Sequence, residues 1–303
     1  MRRDYAKKGY LLIALMAITL TVSAQKQPQI QEGSVWAPEN VKIDGKHNEW
    51  PNPMYNPKKT DGFLQAYNST NRIYYTVAND DKYLYFIVRG LGTRVIMKTL
   101  SGGMTFTVSR ATDKKQRAKA TDNVEITFPM PVTYADIDKA LAPIRGGFDF
   151  YNEPEYYPAD YKYLKQMDSI QLLSNAKLLP IIKEIGVKGI KEISDSVISV
   201  YNETGIKAMM QFTWRQPTYE LAIPLKYLGL EAGSTTKFSY NIKLNVIDRS
   251  KIERSSAVVV DVARLPPPMV TSDAGVIYQP DAGTVFMMGT TDLWGEYVLA
   301  KKP

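Results

Sequence analysis

The chain of 303 residues contains no cysteine. That excludes a disulfide framework, a thiolate metal site, a cysteine nucleophile and lipid attachment at a processed N-terminus. Histidine is nearly as scarce, with His47 the single example. A Ser-His-Asp triad would have to use it, yet His47 sits in Lys46-His47-Asn48-Glu49 with no nucleophile motif, and one imidazole cannot make a multi-histidine metal site. We read it as an exposed loop residue. Long apolar runs are also missing. The apolar run near the start, residues 11–22, falls short of the roughly 20 residues a membrane span needs. It follows Arg2, Arg3, Lys7 and Lys8 and ends in Val22-Ser23-Ala24, the pattern of a secretory signal peptide with a small-residue cleavage site. The expectation is a signal over residues 1–24, a mature chain from Gln25, export to the periplasm or beyond, and no transmembrane segment after cleavage.

The net charge of +7 drops to +4 once residues 1–24, with four basic groups and Asp4, are removed. The basic tract 113–119 has no interleaved aromatics for base stacking, so it reads as a solvated loop, and no nucleic-acid partner is expected. With 44% hydrophobic residues the chain can bury a core, which excludes disorder.

What the chain does have is β pattern. Residues 72–78 and 83–89 are rich in β-branched and aromatic types and flank the turn formers Asn79-Asp80-Asp81-Lys82, which predicts a hairpin. Upstream, a polar leader over 25–40 includes Trp36, and residues 41–43 read as a short strand ending in Asp44-Gly45. Residues 94–100 and 104–109 flank Ser101-Gly102-Gly103, a second hairpin signal. Residues 124–128 alternate as a half-buried strand should. Ile137, Leu141 and Ile144 fit a helix capped by Thr133, and weak helical spacing continues over 160–186, through Leu179, Ile182 and Ile185, broken at Pro180. Strand patterns return at 196–202, 207–214 and 218–224, the last two joined at Arg215-Gln216-Pro217. Residues 238–246 read as a strand buried on one face, with further strands at 257–262, 285–288 and 294–299. About ten short strands with turns between them favour an antiparallel β-sandwich or jelly roll. The fold class is therefore mainly β, a single sandwich over 41–303 with a partly helical insertion at about 133–186.

Three blocks carry a family resemblance. The first is Ile43-Asp44-Gly45 with Trp50 and the Tyr83-Leu84-Tyr85 strand, and the second is Tyr219-Glu220-Leu221-Ala222-Ile223-Pro224 running on to Leu228-Gly229-Leu230. The third is Trp294-Gly295-Glu296-Tyr297-Val298-Leu299. In this order they resemble the family-nine carbohydrate-binding modules and their DOMON-like relatives. The resemblance implies a β-sandwich in which aromatic rings clamp a sugar and polar side chains hold its hydroxyls. The family's two clamping tryptophans do not align to this chain.

Candidate ligand contacts come from elsewhere. Trp214 and Arg215 lie at a turn, where an indole either stacks on a ligand or is buried beneath the insertion. In the insertion, Tyr151, Glu153, Tyr156 and Tyr157 combine rings with acceptors on a loop, the mixture that suits carbohydrate recognition, although tyrosines also pack insertions onto sheets. Trp50 and Trp294 fall in scaffold blocks and read as core. Met209-Met210 and Met287-Met288 fall in strand patterns and read as core rather than haem ligands. Oxygens of Asn79, Asp80 and Asp81, or Asp122, could hold Ca²⁺, though turn chemistry accounts for both. No motif nominates a catalytic residue. The leading expectation is an exported, non-catalytic protein that binds a glycan or polysaccharide. The alternatives are an interaction domain of a bacterial envelope complex with a protein partner and, third, an activity associated with glycoside hydrolysis.

Overall fold

The computed structural model describes residues 27–50, 64–90, 92–145, 161–213, 216–246, 269–272, 275–278 and 282–303. Its elements in chain order are β1 (Ala66–Asn68), β2 (Ile73–Asn79), β3 (Tyr83–Gly90), α1 (Thr93–Gly102), β4 (Met104–Ser109), β5 (Val124–Phe128), α2 (Tyr134–Arg145), α3 (Tyr161–Leu178), β6 (Glu184–Lys188) and β7 (Val197–Ser199). There follow β8 (Lys207–Thr213), β9 (Gln216–Pro224), a 3-10 turn at Leu225–Leu228, β10 (Phe238–Leu244), β11 (Met269–Ser272), β12 (Gly275–Tyr278), α4 (Ala282–Met288) and β13 (Thr291–Tyr297). A five-stranded sheet has the order β1-β2-β3-β9-β8, a six-stranded sheet the order β13-β10-β4-β5-β6-β7, and β11 pairs with β12 alone. Neighbours run antiparallel throughout. The molecule is mainly β, and its two sheets form an antiparallel sandwich.

The core lies between the sheets. Phe86 of β3 stacks on Phe106 of β4 at 4.6 Å between centroids, and Tyr219 of β9 meets both Phe86 and Phe128 edge-on or tilted at 5.7 Å. Each such ring removed from water contributes about 2–3 kcal/mol, so these contacts fix the face-to-face packing. Tyr75 and Tyr240 join hydroxyls across the sheets at 3.2 Å, which satisfies two buried polar atoms. At Gly295, opposite Tyr240 in the β10–β13 ladder, a Cβ would lie 2.2 Å from the tyrosine ring. Only glycine leaves room there.

The five-stranded sheet has covered edges. Gln31 donates from Nε2 to the Val77 carbonyl and accepts from the Val77 N–H, both at 2.8 Å. At the opposite edge, Asn175 of α3 donates to the Phe212 carbonyl at 2.9 Å and accepts from its N–H at 2.7 Å. Each carboxamide mimics one residue of a neighbouring strand and closes backbone groups that would otherwise be open to pairing. The leader therefore belongs to the fold ahead of residue 41: Trp36 bridges to Asn79, and Ala37 donates to the Asn79 carbonyl at 2.8 Å.

Several expectations hold in detail. The first hairpin forms as β2 and β3, β8 pairs with β9, and Thr133 accepts the Asp136 N–H at 3.2 Å while donating to its carboxylate at 2.8 Å, capping α2. Others are corrected. Residues 94–100 are helical because Val95, Ile96, Lys98, Thr99 and Leu100 are the buried positions, a 3.6-residue rather than a 2-residue period. Gly102 and Gly103 are there for close approach, since added Cβ atoms would lie 2.6 Å from the Asn245 carbonyl oxygen and 2.8 Å from that of Pro129. Lys98, fully buried on this helix, donates to the carbonyls of Phe286 and Gly289 at 2.8 and 2.7 Å, which ties α1 to the end of α4. That end is itself a correction, because 285–288 are the last residues of a helix and Met288 is exposed. Ile185 belongs to strand β6, with α3 ending before Pro180. Residues 41–43 join no ladder, and β10 is buried on both faces, Ser239 and Asn241 included. The strand expected at 257–262 lies outside the described residues.

Candidate functional site

Residues 41–50 form a strap across the outer face of the five-stranded sheet. Glu220 of β9 accepts the N–H groups of Asp44 and Gly45 on one oxygen, at 2.9 and 2.7 Å. Gln211 of β8 donates to the Asp44 carbonyl at 2.9 Å, and Thr218 donates to the Gly45 carbonyl. Asp44 turns the strap by accepting the Lys46 N–H at 2.9 Å. Beneath it Trp50 packs edge-on against Tyr85 at 6.1 Å in a second apolar cluster with Leu64, Ile87 and Ala222. Trp50 is core, as expected. His47 is not exposed; it is buried, with its Nε2 donating to the Tyr219 carbonyl at 3.2 Å.

The strap thus joins the first two resemblance blocks through Glu220, a fully buried carboxyl pushed up to about 7 by burial, with Asp44 and Glu49 adding to the rise against the two N–H donors. Burial holds His47 down at about 4, assisted by Arg89. The strap covers both groups, so neither is placed to work on a substrate from outside, and their chemistry is structural.

The outer face of the six-stranded sheet is different, being polar: Asn241 and Thr107 are buried along its middle, while Trp294 and Glu125 are partly exposed and Lys188 is exposed. Register places Trp294 of β13, Asn241 of β10, Thr107 of β4, Glu125 of β5 and Lys188 of β6 in one row across five strands. At about 4.8 Å per strand the row spans about 19 Å. Trp294 is the correction here: it alternates with the buried Leu293 and Gly295, so its indole points outward and stays partly exposed. The Arg117 guanidinium lies over the ring, 4.6 Å from its centroid. Arg117 comes from the 110–123 loop, which is held by the Arg110–Asp122 ion pair at 2.6 Å and by Asn123 donating to the Arg117 carbonyl at 2.7 Å. In the adjoining row Ser239 and Ser109 face each other across β10 and β4. Their hydroxyls, and Oδ1 of Asn123, are buried with no hydrogen-bond partner among the described residues.

A shallow cleft of about 630 Å³ opens at the β2–β3 turn, lined by Asp81, Lys82 and Tyr83 on one side and Pro224, Lys226 and Glu231 on the other. Asp80 beside it is committed to the turn, accepting the N–H groups of Lys82 and Tyr83 at 2.7 Å and the Tyr85 hydroxyl at 2.8 Å. Asp122 is held by Arg110, which keeps its carboxyl below the ordinary range. Among the described residues no three histidine or acidic side chains gather as a metal site.

The six ligand-contact residues named from sequence, Trp214, Arg215, Tyr151, Glu153, Tyr156 and Tyr157, all lie outside the described residues. Trp294 was visible in the sequence but its outward direction was not, because that depends on strand phase. Ser109, Thr107 and Asn241 carry no motif, and only the ladder brings them together. No helix among the described residues is long and apolar enough to cross a membrane. No known protein family, curated protein or solved structure matches this chain.

Proposed function

We propose that this is an exported, non-catalytic glycan-binding sandwich whose ligand lies beside Trp294 on the outer side of the six-stranded sheet. The partly exposed Trp294, with the Arg117 guanidinium over its ring, carries the reading. A sugar presents apolar C–H faces and a rim of hydroxyls, and an indole beside a line of amide, hydroxyl and carboxylate groups complements both.

Calorimetry of the mature protein against a glycan panel tests this. A hit should weaken about tenfold or more in Trp294→Ala, the scale of losing one stacked ring. Binding that survives Trp294→Ala but fails in Trp214→Ala or Tyr157→Ala would move the site to the insertion and the β8–β9 turn. A protein that binds no glycan would leave the envelope-partner reading, which the exposed Leu172 and Leu173 of α3 favour.

A further inference from the structure

Charge pairing on the six-stranded face is uneven. Three of its carboxylates are engaged: Glu125 pairs with Lys188 and Glu296 with Lys237, each at 3.0 Å, and Asp292 accepts from Asn241 at 3.1 Å, while Glu184 at the start of β6 is exposed. Two cations on the same side are not engaged in this way. Arg117 makes its ring contact with Trp294 but has no carboxylate or hydrogen-bond acceptor for its guanidinium among the described residues, and Lys243, opposite Asp292 in the ladder, has none either. The 110–123 loop that presents Arg117 carries five basic residues against two acidic ones. A stacked guanidinium keeps all five N–H donors in one plane, the geometry that grips a carboxylate with two parallel bonds. The Asn123 bond to the Arg117 carbonyl fixes the backbone that carries it, so part of the ordering cost is met before a ligand arrives.

We infer that the glycan taken by this face is anionic, with Arg117 holding a sugar carboxylate or sulfate beside Trp294. The inference rests on the glycan-binding reading and narrows it to a substrate class. Lys243 adds a second positive charge one row away, so repeating acidic units are favoured over a single terminal one. Association should weaken as salt is raised, because exposed charges on both partners are screened.

The test compares a galacturonate oligomer with its methyl ester, which keeps the sugar and removes the charge, alongside dextran sulfate with dextran. Binding is measured by calorimetry to the wild type, Arg117→Ala and Arg117→Lys. The expected result is at least tenfold tighter binding of a charged polymer than of its neutral counterpart, a loss of about tenfold or more in Arg117→Ala for the charged form only, and partial recovery in Arg117→Lys. Preference for dextran sulfate with the same Arg117 dependence supports the inference and assigns the anion to sulfate. Equal binding of ester and acid, with loss in Trp294→Ala, overturns it while leaving the glycan face intact. Binding of charged polymers that Arg117→Ala does not change also overturns it. If none of the four polymers nor any glycan of the wider panel binds, the inference and the reading beneath it fall together.

Discussion

Glu220 and His47 set opposite limits on the pH range in which the strap is stable. Raised to about 7 from its ordinary 4.5, Glu220 binds its proton more tightly in the folded chain. Its contribution is therefore complete below about pH 4.5 and is lost as pH rises through 7, by about 3 kcal/mol at most. His47, lowered from 6.5 to about 4, is stabilising when neutral; its contribution is present above pH 6.5 and lost as pH falls through 4. Thermal melts across pH 4 to 9 should show a maximum between the two limbs. Glu220→Gln should flatten the alkaline limb, and His47→Asn the acid one. An alkaline limb equally steep in Glu220→Gln would mean that another group sets it. His47 could not be placed from its neighbours, because what buries it is the Tyr219 carbonyl and the sheet beneath, 172 residues along the chain.

At the scale of elements, two side-chain amides substitute for two missing strands. Gln31→Ala and Asn175→Ala each remove the two hydrogen bonds to the edge strand and leave a buried N–H and carbonyl there, and Gln31→Ala also removes the bond to the Gly33 carbonyl. Urea titration should register a loss of about 2 kcal/mol for each. Amide exchange should quicken at Val77 in the first variant and Phe212 in the second. Unchanged exchange at those two sites would show that the edges are protected by something else. Elements whose signals are local were legible in the sequence: the β2–β3 hairpin through its four turn residues, α2 through Thr133. The α1 helix was not, because Val, Ile and Thr beside Ser-Gly-Gly imitate a strand and turn, and only the buried positions disclose the period. The same holds for the candidate face. Trp294, Asn241 and Thr107 become neighbours through β10's place between β13 and β4, and strand order is a tertiary fact.

For the whole molecule, the leader decides how much chain is needed. A protein shortened to begin at Val41 would lose Gln31, the Trp36–Asn79 bridge and the Ala37 bond, and would uncover the outer edge of β2. We expect it to melt well below a chain beginning at residue 27 and to self-associate in size-exclusion chromatography, as open strand edges promote. Equal melting temperatures would show that the leader merely rests on the sandwich.

Asn79 is the meeting point of both ends of that sandwich. Its Oδ1 accepts the Ala300 N–H at 2.7 Å and the Tyr297 hydroxyl at 3.1 Å, while the Ser34 hydroxyl reaches the Val298 carbonyl at 2.5 Å. Residues 34 and 298 therefore run side by side past the end of β2, so that one asparagine ties the leader and the last strand to the same hairpin. Replacing Asn79 with alanine would cut its side-chain ties to Tyr297 and Ala300 in one step while the Ala37 bond to its carbonyl remains, loosening the last described stretch and leaving the leader docked.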